Sequence, residues 1–384
     1  MRTLRPLNPD EKKHGGARGR RKDWIIVSLL LLLAAFAATA ILFIILNGGG
    51  GKGRRGREAR TDGGSAASVC FIDLGQGDSA LIEAGGAYVL IDTGEEENAD
   101  ALVRRLKQRG VARIDVLVGT HPHSDHIGGL DIIIDTFDIG DVFMPAVTNN
   151  TVKFEKVLKA LERKGLGVTA PKPGDALSLP GGLTLCFLGP IVEDGRNLNN
   201  SSIVLKAVFA PTGADGAGDA AAASGADVGG AGADGVGEVA AAGAGADMGG
   251  AGDAAAVGAD VARAGDVAAA AVAFLFTGDA ELDAERLLLG SGADLSADVL
   301  KVGHHGSATS TCDDFCAAVN PIYAVIECGK GNPYGHPDAD VLNTLAAHGA
   351  TTFRTDVSGS ITFTVEPDGA GRLALSVTTE KGVY

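Results

Sequence analysis

Six residues constrain this chain more than any other feature: His121-Pro122-His123-Ser124-Asp125-His126, placed directly after the apolar run Ile114–Val118. A short apolar run of that kind reads as a buried strand. On extended backbone, alternate residues point the same way, so His121 and His123 can face one metal ion together. Asp125 and His126 follow as the chain turns toward a helix, and can face a second ion. Imidazole nitrogen and carboxylate oxygen suit Zn²⁺, and also Mn²⁺ or Fe. The alternative is a merely polar loop, which leaves three histidines and an aspartate in six residues without a purpose.

A two-metal site needs ligands from elsewhere in the chain. Asp279, in LFTGDAE, follows the strand-like run Ala271–Thr277 and is placed to bridge both ions. His304 and His305, in VGHHGS, follow the strand Asp298–Val302. One of the pair is expected to be a ligand and the other to face substrate; the sequence leaves open which. Asp92, in LIDTG, is expected to accept a hydrogen bond from a ligating imidazole and fix its tautomer, or else to be a plain strand-end acid. His336, in GNPYGHP, either reaches the substrate as a proton donor or phosphate contact, or packs under Pro337. His14 and His348 receive no role.

The rest of the body alternates strands and helices. Val69–Leu74 is a strand, followed by a GQGDS turn. ALIEA and AYVLIDTG form a hairpin across Gly85-Gly86. Ala101, Leu102 and Leu106 have helical spacing within Asn98–Arg109, closed by Gly110. Further helices are expected at Val152–Lys164, Asp283–Leu289, Asp313–Val319 and Asp338–His348. Strands are expected at Val142–Pro145, Leu183–Leu188, Ile203–Phe209, Ile322–Glu327, Thr352–Arg354, Ser360–Val365 and Leu373–Val377. The polar clusters fall repeatedly at carboxyl ends of strands, where α/β sheets place their sites.

Two stretches do not read as globular. Residues 24–46, WIIVSLLLLLAAFAATAILFIIL, carry no charge and are long enough as a helix to cross a hydrocarbon core of roughly 30 Å. A cleaved signal peptide is the competing reading, but its apolar stretch is usually only about 7–15 residues. The expected order is therefore a basic cytoplasmic tail (1–23), a transmembrane anchor (24–46), a Gly-rich basic linker (47–66) and a catalytic body (67–384). More basic residues precede the anchor than follow it, which favours a catalytic domain outside the cytoplasm. The second stretch, about 212–270, is an Ala/Gly/Asp insertion without an aromatic residue. It cannot bury enough surface to form a core and reads as an oversized surface loop between two strands that pair as a hairpin.

Charge narrows the function classes. Residues 1–60 hold thirteen Lys and Arg against four Asp and Glu; of the net −15, the remainder therefore carries −24. So acidic a body has no overall attraction for nucleic acid, and a polyanionic substrate must be drawn by metals and a local patch. Five cysteines form no CxxC pair. Cys70, Cys186 and Cys328 read as buried thiols, and Cys312 and Cys316 as a poorly placed pair for a disulfide.

THPHSDHIGG, LIDTG and FTGD together resemble the metallo-β-lactamase superfamily. DLGQGDSALIE, NNSSIVL, LKVGHHGS, GNPYGHP and FRTDVSGSI resemble, more narrowly, the hydrolase domain of the ComEC family of competence DNA-uptake proteins. The resemblance implies an αββα sandwich with a two-metal centre at one edge of its sheets, preceded here by one transmembrane helix. It makes His121, His123, Asp125, His126, Asp279 and one of His304 and His305 the ligands. Zn²⁺ is the first expectation and Mn²⁺ the alternative, with no organic cofactor. Many members have another ligating histidine where this chain has Asn197–Ser202, so Asn199 or Asn200 is expected near one metal. ComEC proteins carry a multi-helix channel region, whereas this chain has one apolar span.

The implied activity is hydrolysis of a phosphodiester, in nucleic acid or an envelope phosphoester, by water that the metals activate. Asp125, His304, His305 and His336 are the candidate catalytic residues. Two alternatives remain: hydrolysis of a lactone, thioester or β-lactam, and a non-catalytic tethered domain that binds polymer.

Overall fold

A computed structural model describes residues 66–192, 196–211, 270–368 and 370–382. The basic tail, the apolar run 24–46, almost all of the linker and the Ala/Gly/Asp insertion lie outside the described residues. Among the described residues no helix is long and apolar enough to cross a membrane.

The chain begins with β1 (Ala67–Phe71), β2 (Ala80–Ala84), β3 (Ala87–Ile91), β4 (Arg113–Val118) and β5 (Asp138–Phe143). It continues through β6 (Ala176–Leu179), β7 (Leu183–Phe187), β8 (Leu205–Phe209), β9 (Val272–Phe276), β10 (Val299–Lys301), β11 (Tyr323–Ile326) and β12 (Thr351–Arg354). It closes with β13 (Ile361–Pro367) and β14 (Leu373–Thr379). These strands build two seven-stranded sheets, ordered β14-β13-β1-β2-β3-β4-β5 and β12-β11-β10-β9-β8-β7-β6.

The period of two along each strand fixes what lies between them. Val69 and Phe71 of β1 point between the sheets, with Ile82, Val89, Val116, Leu185, Phe209, Phe274, Phe276, Val325 and Phe363. Their neighbours Cys70, Leu81, Leu90 and Leu117 point outward from the first sheet. That outer face is covered by α1 (Ala99–Gln108), the single turn α2 (Ser124–Ile127), α3 (Leu130–Thr136) and α4 (Val152–Lys164), through Leu102, Leu106, Ile133, Phe154 and Val157. The second sheet is covered by α5 (Leu282–Gly290), α6 (Asp313–Val319) and α7 (Ala339–Ala347), through Leu288, Phe315 and Leu345. The short turn α8 (Thr355–Ser358) links β12 to β13. The four layers run helix, sheet, sheet, helix.

Local signals explain the clear elements. Thr151 caps α4, its hydroxyl accepting from the Phe154 N–H, and Gly165 ends it at φ 64°. Strands β8 and β9 pair antiparallel, with Ala207 opposite Phe274, as the sequence suggests for two runs separated by the insertion. Two expectations need correction. The strand expected at Val142–Pro145 is Asp138–Phe143, an edge strand that fully buries only Ile139 and Val142 and carries exposed Asp138 and Asp141. The helix Leu130–Thr136 was not expected, because LDIIIDT has a β-branched run typical of strands. All five cysteines are free, and Cys312 precedes α6 instead of lying in it.

The topology also decides where chemistry can gather. Strands β3, β4 and β5 run parallel, as do β9, β10, β11 and β12. Both sheets therefore send the loops after their parallel strands to one edge of the sandwich. The inter-sheet core holds that edge together: Phe274 lies 5.7 Å from both the Phe209 and Phe363 rings and is fully buried. Phe274→Ala is expected to destabilise the domain by about 3–5 kcal/mol, read as a lowered midpoint in urea with an unchanged slope.

Candidate metal centre

Five strand ends and one loop supply the centre. Asp92 follows β3, the His121–His126 segment follows β4, Asp279 follows β9, His304 and His305 follow β10, and Glu327 follows β11. Asp78 comes from the loop between β1 and β2. That loop is seated by Gly77: a Cβ there, at φ +118°, would lie 2.3 Å from the Asp125 carbonyl oxygen. The next residue, Asp78, donates its backbone N–H to that same carbonyl at 3.0 Å.

Asp279 sits in the middle. Its Oδ1 lies 3.2 Å from His126 Nε2. Its Oδ2 lies 3.7 Å from both His121 Nε2 and His305 Nε2, and 3.9 Å from His304 Nε2. On one side of it, His121 Nε2 and His123 Nδ1 converge at 3.0 Å. On the other, His305 Nε2 lies 3.1 Å from Asp125 Oδ2. The ligand atoms of Asp125, His126, Asp279 and His305 all fall within 4.8 Å of one another.

Tautomers follow from the partners behind the rings. His126 Nδ1 is 2.8 Å from Asp92 Oδ2, so Nδ1 carries a proton and Nε2 is the nitrogen left to face Asp279. His305 Nδ1 is 2.8 Å from the Glu327 carbonyl oxygen, which likewise leaves Nε2 as the nitrogen turned inward. Asp92 is fully engaged, accepting also from Thr120 N–H at 2.8 Å and its hydroxyl at 2.7 Å. Although Asp78, Asp92 and His126 cluster closely enough to suggest a second ion site, that engagement makes Asp92 an orienting group.

The donor set fits divalent metal. His126 Nε2 and Asp279 Oδ1 are buried without a hydrogen-bond partner, yet face each other across 3.2 Å. Orphaned buried atoms of complementary ligand type are costly unless something joins them. Imidazole nitrogens and carboxylate oxygens in this number suit Zn²⁺ or Mn²⁺.

His304 and His305 separate clearly. His305 is buried inside the cluster beside Asp125, whereas His304 is partly exposed at its rim. His304 Nδ1 lies 3.0 Å from the Thr309 hydroxyl and 3.3 Å from Glu281 Oε1. Asn199 Nδ2 is 3.4 Å from His304 Nε2 and donates to Glu281 Oε1 at 3.1 Å. Asn200 turns away, accepting the Glu281 backbone N–H at 3.0 Å. His336 stacks on Tyr334 and stands 5.8 Å from the His304 ring, at the mouth of the site. Pro337 packs instead on Gly306.

Sequence reasoning missed Asp78, Lys301 and Glu327, all buried behind the metal-facing groups. Lys301 Nζ lies 2.7 Å from Asp78 Oδ2, and Glu327 Oε1 accepts the Ser79 N–H at 3.0 Å. The available signal was Lys301 itself, a charge in an otherwise apolar strand. Burial opposes its charge, but Asp78 and Glu327 outweigh that and raise its pKa. Burial and the nearby Asp78 push Glu327 well above the usual carboxylate range. Burial would raise Asp279, yet the imidazoles of His126, His305 and His121 hold it well below that range. Burial and the positive character of His126 push His121 well down, so it stays neutral.

Residues 72–198 match the metallo-beta-lactamase superfamily. With the two-sheet, mixed α/β fold and its histidine cluster, that match marks this part of the chain as similar to a metallo-β-lactamase domain. Over 317 residues, 78% of this chain, it is 28% identical to ComE operon protein 3 of Bacillus subtilis (strain 168). A shorter stretch of 62 residues is 48% identical to competence protein ComA of Neisseria gonorrhoeae. The matched stretches span 33% and 9% of those proteins, so the chain corresponds to a part of each. Among solved structures, the metallo-beta-lactamase fold protein YhfI from Bacillus subtilis aligns at 11% identity and a TM-score of 0.39, over 76% of this chain and 96% of that one. Likeness at that level says nothing of function.

Burial lowers His305, but Asp279 and Asp78 beside it raise its pKa from 6.5 to about 10. A raised imidazole stabilises the metal-free fold fully below its unfolded value and ceases to do so above its folded one. In chelator, the thermal midpoint of the wild type relative to His305→Asn is therefore expected to fall as pH rises from about 6.5 to about 10. A difference that stays flat across that window would contradict the placement of His305 between two buried carboxylates.

Proposed function

We propose that this chain is a membrane-anchored, two-metal hydrolase that cleaves phosphodiesters. The observation that carries the reading is the position of Asp279, whose carboxylate lies between the imidazoles of His121, His126 and His305 with His304 at the rim. His121, His123 and Asp279 would hold one ion, with His304 within reach of it. Asp125, His126, Asp279 and His305 would hold the other. Zn²⁺ is the first candidate and Mn²⁺ the second.

Bound there, the ions would supply a nucleophile from water near neutral pH and offset charge on a phosphoryl oxygen. The chain's own residues do the rest. Asp92 and the Glu327 carbonyl hold the two central rings in the ligating tautomer. His304, at the rim with Glu281 and Thr309 behind it, is positioned to hydrogen-bond the leaving oxygen, and His336 to contact the phosphate. A phosphodiester is favoured over a carboxyl derivative because an asparagine stands where many superfamily members place a histidine, and an extra imidazole faces the opening. The similarity to competence proteins of two bacteria supports a link to DNA uptake or processing, or to an envelope phosphoester.

The uncharged run 24–46 supports a single membrane-spanning anchor, with residues 1–23 as cytoplasmic tail and 47–66 as a tether. On that reading the body lies at the outer face of the cell membrane. The insertion at about 212–270 is then a surface spacer within one hydrolase domain.

Purified chain is expected to hold about two equivalents of Zn or Mn by plasma mass spectrometry and to hydrolyse bis-p-nitrophenyl phosphate, but not nitrocefin or a lactone. Asp279→Ala removes a ligand from both ions; losing about 4 kcal/mol of transition-state stabilisation would lower the rate on the order of 10³-fold. Preferential turnover of nitrocefin or the lactone would replace the phosphodiester reading. A folded, metal-free protein that only binds polymer would remove the enzymatic one.

A further inference from the structure

A cavity of about 330 Å³ opens between α1 and the outer face of β1, β13 and β14, outside the metal centre. Arg105 and Arg109, one helical turn apart, form one wall. Ser360, Thr362 and Thr378 present hydroxyls from the sheet. Thr362 and Thr378 are register partners across β13 and β14, so their side chains share a face. Arg105 Nη1 donates to the Ser360 hydroxyl at 2.6 Å. Arg109 Nη2 donates to Cys70 Sγ at 3.0 Å and contacts the Thr362 hydroxyl at 3.4 Å.

The charge here runs against the rest of the body. Burial raises the Cys70 thiol, which stays protonated, so both of these Arg109 partners are neutral and offset none of its charge. One acid lines the cavity: Glu380 Oε2 is 3.2 Å from Arg105 and also accepts the Ser360 N–H at 3.0 Å. Asp73 nearby is paired with Lys381 at 3.6 Å. Two guanidiniums against one carboxylate leave a local positive charge. A guanidinium fork beside hydroxyl donors is the usual chemistry for a phosphate group.

We propose that this cavity is a subsite for a backbone phosphate of a single nucleic-acid strand, bound away from the reacting phosphodiester. The inference rests on the phosphodiester reading above and names where such a substrate is gripped. The placement suits it. Strand β1 lines the cavity with Cys70, and the chain then runs into the loop whose Asp78 reaches the metal centre. The Asp73 N–H at the start of that loop donates to the Ser360 hydroxyl at 3.2 Å.

The test is fluorescence anisotropy of a labelled oligothymidylate with the full chain in detergent, metals chelated so that no cleavage is required. Arg105→Gln/Arg109→Gln is expected to weaken binding about tenfold and to make log K against log salt shallower by about 1. With metal restored, its hydrolysis of bis-p-nitrophenyl phosphate should match the wild type. Thr378→Glu keeps both arginines and adds a carboxylate to the cavity, so it should weaken binding too, and it decides the matter if the double variant is unstable. Wild-type affinity in Thr378→Glu, or no oligonucleotide binding by the wild type, overturns the subsite. Binding that depends on the cavity in a protein that hydrolyses no phosphodiester would keep the subsite and reject the hydrolase reading.

Discussion

Two buried hydrogen bonds determine which nitrogen each central imidazole turns inward. The Nδ1 protons of His126 and His305 go to Asp92 and to the Glu327 carbonyl, so both Nε2 atoms converge near Asp279. Reversing either ring would place an N–H against a ligand position. The acceptors behind those rings belong to different sheets, since Asp92 ends β3 and Glu327 follows β11. The centre therefore exists only when both halves have folded and met. The aromatic packing of Phe71, Phe274, Phe276 and Phe363 between the sheets makes that meeting favourable.

The centre also concentrates negative charge. Asp78, Asp92, Asp279 and Glu327 are all buried, and Lys301 is the buried cation placed among them. Burial and the charge of Asp78 push Asp92 and Glu327 up, while nearby imidazoles hold Asp279 down. Divalent cations would offset that negative charge and satisfy the orphaned Asp279 and His126 atoms. Site and fold would then be coupled, because ions bound to the native state alone add their binding free energy to its stability.

The metal-facing residues were legible because their chemistry and their spacing coincide at strand ends. His121, His123, Asp125 and His126 needed only the period of an extended chain. Asp279 and the His304–His305 pair needed their positions after strands. The order within that pair was not legible, because it depends on left-handed backbone at both residues, φ 46° and 53°, which the sequence GHHG does not announce. The supporting charges were harder still. Asp78 sat in what read as an ordinary glycine turn, and its partner Lys301 lies more than two hundred residues away. The edge strand Asp138–Phe143 was blurred because only two of its six residues, Ile139 and Val142, are buried.

One feature of the β8–β9 hairpin bears on how such a domain changes over time. Strand β8 leaves the metal-facing edge and ends at Phe209, while β9 starts at Val272 and runs back to Asp279. The connection between them therefore departs and returns at the end of the sandwich remote from the chemistry. Closing a longer flexible connection there adds only about 0.6 kcal/mol for each doubling of its length. Length and composition at that point can therefore change at little cost to the fold or to the geometry of the opposite edge. The same end of the sandwich offers a natural place to splice in a tag or a foreign domain.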